Sequence, residues 1–174
     1  MARAYRPPAS FGPILTGAVG GGLAAAVALT GLALLGRVHG IPATATINAL
    51  GALAVRWLQD AEDGALAHFY ADATPGGIVL ALGFGALAGA LFSGLLDRLP
   101  RDHPLPWGLV SGAAAGVVTW WRVLPALDPV VIRTVTATDW ILGAVVYGGL
   151  VGAWVEARRR VRQREDAAFE GAAA

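Results

Sequence analysis

No cysteine occurs in the chain, which excludes disulfides, thiolate catalysis, Fe–S clusters and Cys-ligated zinc together. Lysine is missing as well: all 13 basic residues are arginine, a bias read as a GC-rich genome rather than as a function. Charge of either sign is scarce, at 14% of residues with a net charge of +1, where an average soluble domain carries about 25%. A chain so poor in charge lacks the polar surface to stay dissolved, and its near-neutral balance offers nucleic acid nothing to bind. The surplus is apolar. Hydrophobic residues make up 56% of the 174 positions and mean hydropathy is +0.59, so lipid is the expected solvent.

Four stretches are nearly charge-free for about the 20 residues that a bilayer core requires. They run over 13–35, 78–96, 107–124 and 140–156, and together predict an all-α membrane protein with four transmembrane helices arranged as two hairpins. The organisation that follows is an N-terminal tail (1–12), a transmembrane domain (13–156) with a long outer loop (36–77), and a basic C-terminal tail (157–174). A cleaved signal peptide is the competing reading of the N-terminus. Its apolar core spans about 7–15 residues, however, and the run after Phe11 is longer, which favours a retained anchor.

Tryptophans mark the ends of the spans. Trp107 with Trp120 and Trp121 brackets the third, and Trp140 with Trp154 the fourth, as interface anchors do. Orientation follows from arginine. With both tails cytoplasmic, Arg3, Arg6, Arg98, Arg101, Arg158, Arg159, Arg160, Arg162 and Arg164 lie inside, and Arg37, Arg56, Arg122 and Arg133 outside. Nine against four satisfies the positive-inside rule. The acidic residues Asp60, Glu62, Asp63 and Asp72 then face outward, with a spacing that matches no EF-hand loop. The arginine cluster Arg158, Arg159, Arg160, Arg162 and Arg164 is also placed to meet lipid headgroups.

Within the outer loop, Thr44 or Thr46 is a candidate cap for an amphipathic helix with Ile47, Leu50, Gly51, Ala54, Trp57 and Leu58 on one face. Asn48, Arg56 and Gln59 fall elsewhere, so the helix is expected to lie in the outer interface with Trp57 as an anchor. The alternative is a fifth span over 41–58. A weak internal repeat pairs Phe84–Ala90 with Tyr147–Ala153, and Gly17–Gly21 with Gly112–Gly116.

Each span carries two glycines four residues apart: Gly17/Gly21, Gly85/Gly89, Gly112/Gly116 and Gly148/Gly152. Such pairs share one helix face and let a neighbouring backbone approach closely. Chemistry is harder to find. His39, His68 and His103 are not paired within spans as haem ligands would be, so no cofactor and no metal are expected. The polar groups inside the spans, Thr16, Thr30, Ser93, Ser111 and Thr119, can each bond their own helix backbone, and Arg122 sits beside interface tryptophans. Asp97 and Asp102 read as a solvated loop beside Arg98 and Arg101, and Gly20–Gly22 lies too deep to cradle phosphate. No acid–base or nucleophile set remains, and an enzyme is not expected.

The passage from Gly17–Leu35 into Gly40-Ile41-Pro42, the stretch Leu50–Leu53, the closing Trp121–Pro125 and the run Val146–Gly152 resemble the YagU-like four-span proteins of bacterial inner membranes. The resemblance implies four spans and assigns no activity or site residues. The expected function is therefore a structural or accessory subunit of a larger membrane complex, respiratory and photosynthetic assemblies being candidates. A small oligomeric transporter or channel is the alternative, and a haem- or quinone-binding redox subunit the third. Expected partners are membrane lipids and other membrane subunits or further copies of the chain.

Overall fold

The computed structural model describes residues 12–60, 64–96 and 103–172, and these are helical with no strand among them. Three helices are long and apolar enough to cross a membrane: α1 (Gly12–Val38), α3 (Ala73–Leu96) and the larger part of α7 (Ala137–Ala172). Helix α2 (Ala43–Gly51) and two short 3₁₀ turns, Arg56–Asp60 and Ala65–Ala67, fill the connection between α1 and α3.

Local chemistry sets the ends of these helices. Helix α1 stops at a left-handed glycine, Gly40 with φ +77°. The Gly40 amide donates to the Arg37 carbonyl at 3.0 Å and the Ile41 amide to the Gly36 carbonyl at 2.8 Å, which is the Schellman closure. Pro42 then forbids continuation. The third apolar stretch, 107–124, is helical throughout but not uniformly α. Helix α4 (Pro104–Val118, 15 residues) runs directly into a π turn (Thr119–Val123, 5 residues) and then α5 (Leu124–Leu127, 4 residues). The cause lies at Pro125, whose ring has no amide and crowds the carbonyl four residues back, at Trp121. The ladder widens to accommodate it, and the Leu124 amide reaches the Thr119 carbonyl five residues back.

The long helical segments adjoin in the order α3, α1, α7, α4. Two seams in this row are made by backbone. On the first, a Cβ at Gly17 would strike the Gly89 carbonyl, one at Gly21 the Gly85 carbonyl, and one at Gly89 the Gly21 Cα at 2.8 Å. On the second, Gly108 and Gly112 lie against Gly148 and Ala144, Gly116 against Ala144 and Ile141, and Gly152 against the Pro104 carbonyl. The Gly85/Gly89 and Gly148/Gly152 faces thus meet other helices rather than each other. The middle junction, α1 with α7, is made by side chains instead: the Trp154 indole fills the space over Gly20, and Leu32 packs on Gly143.

One end of the bundle carries a folded cap. Ala45, Ala49, Ala52, Leu58, Leu66, Ala73, Leu124, Val130, Val131 and Val135 form its core, drawn from α2, the 3₁₀ turns, α3, α5 and α6 (Pro129–Thr134). Helix α2 differs from the sequence reading in extent and in face. It has nine residues and ends at Gly51, about 14 Å of helix, too short for a fifth span. Its buried side is Ala45, Thr46, Asn48, Ala49 and Gly51; of the expected apolar face Gly51 and, beyond the helix, Leu58 are buried, Ile47 and Leu50 only partly, and Ala54 is exposed. Asn48, which the sequence reading set apart from that face, is turned inward because it has internal partners. Neither threonine caps the helix: Pro42 stands at that position, and the Thr44 hydroxyl donates to the Ala67 carbonyl at 2.6 Å. The C-terminal tail is not a separate segment either, since α7 continues through it to Ala172.

Candidate functional site

At the end of the bundle remote from the cap, the start of α1, the end of α3 and the basic stretch of α7 enclose a groove of about 140 Å³. Its lining is Pro13, Thr16, Ser93, Val155, Arg158, Arg159 and Arg162. Three hydrogen bonds fix its walls. Ser93 donates from its hydroxyl to the Pro13 carbonyl at 2.8 Å, tying α3 to α1 and not to its own helix as the sequence suggested. The Trp154 indole N–H donates to the Thr16 carbonyl at 3.0 Å, tying α7 to α1. Two turns deeper, the Tyr147 hydroxyl donates to the Gly85 carbonyl at 2.6 Å, tying α7 to α3.

The helix divides the five tail arginines. Arg158 and Arg162 are four apart and Arg159 adjoins them, so these three share the groove side. The Arg158 guanidinium lies over the Trp154 ring, 4.9 Å from its centroid, which holds it in place by a cation–π contact. Arg160 is turned away and bonded to Glu156, and Arg164 is exposed farther along. Chemically this is a cleft with guanidinium groups at the mouth and Val155 and Pro13 among its walls.

The tryptophans occupy different settings. Trp154 and Trp140 spend their indole N–H groups inside the protein, the latter on the Thr119 hydroxyl at 2.9 Å. Trp107 and Trp120 are half-buried against the two apolar clusters, whereas Trp121 is 57% exposed. The Trp57 side chain lies outside the described residues, as do the tail residues Arg3 and Arg6 and the loop residues Glu62, Asp63, Asp97, Arg98, Arg101 and Asp102. His39 pairs with Asp139 at 3.3 Å beside the cap, while His68 and His103 are exposed at opposite ends. Among the described residues no three His, Asp or Glu side chains converge on one point.

The cap holds the most deeply buried polar groups. Asn48, 0% exposed, donates to the Leu66 carbonyl at 2.8 Å and the His68 carbonyl at 2.7 Å, and accepts from the Thr74 hydroxyl at 2.6 Å. It thereby closes the loop between α1 and α3 onto α3. Asp128 is also 0% exposed and stands before Pro129 at the start of α6. Burial pushes its carboxyl up to about 6, against a smaller lowering by the Val131 and Val130 amides. Those amides face the carboxylate, yet neither oxygen makes a hydrogen bond of ordinary geometry. Sequence reasoning passed over Asp128; the available signal was Asp-Pro between two short apolar runs, a helix-start pattern.

No protein family, curated protein sequence or solved structure matches the chain.

Proposed function

We propose that the chain is a non-catalytic, four-span integral membrane protein that serves as a structural or accessory subunit of a larger assembly in a bacterial inner membrane. The observation that carries this reading is the pair of glycine seams. Gly17 and Gly21 on Gly85 and Gly89, and Gly108 and Gly112 on Gly148, fill the interior with backbone in close contact. Helices held this way form a fixed scaffold, the kind of association that works where lipid removes the hydrophobic incentive. The helices meanwhile expose broad apolar faces, among them Val19, Leu23 and Val27 on α1 and Phe84, Leu87 and Leu91 on α3, for lipid or a neighbouring subunit to cover. The helical path from Pro104 to Leu127, about 36 Å at 1.5 Å per residue, supports 107–124 as a span beside the three longer helices. The likeness to the YagU-like family belongs to the same proposal, as do cytoplasmic termini with the cap outside and interface anchoring by Trp121.

Extraction in mild detergent and affinity purification tests the role. A stoichiometric set of other membrane proteins is expected; a monodisperse species of one chain would overturn it. Cysteines introduced at Asp72 and Asp102 test the orientation, which requires labelling from opposite sides with Asp72 outside.

A further inference from the structure

The two glycine seams are built on one plan. A Cβ at Gly17 would strike the Gly89 carbonyl and one at Gly21 the Gly85 carbonyl; in the second seam Gly108 faces the Gly148 carbonyl and Gly112 the Ala144 carbonyl in the same way. Gly89 lies against the Gly21 Cα as Gly148 lies against the Gly112 Cα, and Gly85 meets Ala25 as Gly116 meets Ala144. Position by position, α4 repeats α1 and α7 repeats α3, with Gly108 standing for Gly17 and Gly148 for Gly89. This register differs by four residues, one helical turn, from the repeat that the sequence suggested, and it brings Pro13 onto Pro104 and Val19 onto Val110. The chain is thus two equivalent hairpins, α1 with α3 and α4 with α7. Both point the same way, because adjacent helices in the row are antiparallel throughout.

The hairpins meet through unlike helices. Helix α1 of the first touches α7 of the second, with Trp154 over Gly20 and Leu32 over Gly143. Such a junction is head-to-tail, and each hairpin keeps one half of it unused. The unused halves are α3, the counterpart of α7, and α4, the counterpart of α1; they stand at the two ends of the row with α1 and α7 between them. Their faces are bare where the paired ones are covered. Gly20 and Ala24 are buried, whereas their counterparts Ser111 and Ala115 are exposed. Trp154 and Gly143 are partly buried, whereas their counterparts Leu95 and Phe84 are 56% and 59% exposed. Shape follows position, since Leu95 is large where Trp154 is large and Ser111 is small where Gly20 receives the indole.

We infer that α3 of one copy of this chain docks against α4 of the next, repeating between copies the junction that α1 and α7 make within one. A second copy is the fitting occupant because the chain itself carries both halves of the contact. Its hairpins share one orientation, so successive copies stay level in a membrane and extend head-to-tail into a ring or row. Close packing of small against large side chains is also what holds helices together in lipid. The inference goes beyond the accessory role proposed above and rests only on the membrane reading.

Disulfide cross-linking in native membranes tests the contact, on a chain with no cysteine of its own. Two differently tagged full-length chains are co-expressed, one carrying Leu95→Cys and the other Ser111→Cys, and are oxidised with copper phenanthroline. A product of twice the monomer mass that carries both tags is expected. Adding Ala115→Trp to the second chain, at an exposed position, is expected to abolish it, and persistence of the product would overturn the packing inferred. The control pair Leu23→Cys and Leu142→Cys, exposed on α1 and α7, is expected to give none. Equal yields from the control pair would overturn the inference in favour of random collision. Products joining Leu95 to Leu95 or Ser111 to Ser111 would overturn it in favour of a twofold contact, and no product at all would overturn the docking itself. Alkaline extraction and co-purification report separately on the earlier reading. A chain that stays in the membrane pellet with other subunits, yet gives no product between Leu95 and Ser111, lacks the contact between copies and not the spans or the accessory role.

Discussion

Two glycines on one helix allow the backbone seam to be measured by a single methyl group. Gly89 is buried against α1, and a Cβ there would meet the Gly17 carbonyl, the Gly21 Cα at 2.8 Å and the Gly21 amide nitrogen at 3.0 Å. All three obstacles are main chain, so no side chain can swing aside and the helices must separate. Gly83 lies six residues earlier in α3, is exposed, and has nothing within 4 Å of the same position. Glycine to alanine at either place makes the same covalent change and the same gain in helix propensity, at most about 1 kcal/mol. Only Gly89→Ala adds overpacking, which costs about 1–3 kcal/mol. The two variants should therefore differ by that amount, Gly83→Ala melting at or above the parent and Gly89→Ala below it. For a chain of this size the gap corresponds to several degrees, at roughly 2–4 °C per kcal/mol. Circular dichroism of the detergent-solubilised protein at 222 nm, the helical band, is the assay. Coincident melting of Gly83→Ala and Gly89→Ala would refute the seam, and with it the scaffold argument.

Asp128 makes a prediction with a definite sign. Its carboxyl is raised from 3.8 to about 6 by burial, so between those values the folded chain holds a proton that the unfolded chain has released. Stability then falls as pH rises through this window, by at most about 3 kcal/mol. Asp128→Asn keeps a capping oxygen without titrating, so parent and variant should diverge between pH 4 and pH 7, the variant being the more stable at neutrality; parallel pH profiles of the melting midpoint would refute this. Asn48→Leu leaves the Leu66 and His68 carbonyls and the Thr74 hydroxyl without their partner, a loss of about 2–4 kcal/mol. Limited proteolysis should then cut between Gly51 and Ala73 while the long helices survive, and unchanged resistance there would show that Asn48 is not the clasp of the cap.

The long apolar helices were legible because a run of about 20 residues without charge has few other uses. The glycine spacing was legible for a related reason: residues four apart share a face whatever the fold, and Gly17/Gly21 and Gly85/Gly89 do lie on facing surfaces. The cap was not legible. Its core comes from short pieces whose apolar residues show no long periodicity, such as Leu58, Leu66, Val130 and Val131. Asn48 was assigned to a solvent face on polarity, when its partners stand 18 to 26 positions away in sequence. The groove failed to appear for another reason. Five arginines in seven positions look uniform in sequence, and only the rotation of α7 against α1 and α3 separates those that converge from those that do not. Ser93 illustrates the same point, since its bond to Pro13 spans 80 positions that no local rule can bridge.

The difference in kind between the seams and the middle junction gives the molecule a direction of give. Along α1 with α3, and along α4 with α7, main chain rests on main chain, and neither sliding nor parting is possible without breaking many contacts at once. Between α1 and α7 the contact is carried by side chains, chiefly Trp154 over Gly20, with its indole N–H on the Thr16 carbonyl, and Leu32 over Gly143, with the Tyr147 hydroxyl as a tether to α3. Mechanically the chain is two stiff plates joined along a compliant line, with the basic groove at one end of that line. A load applied by a neighbour would open or close the molecule there, and the indole of Trp154, which touches both plates, is the built-in reporter of it.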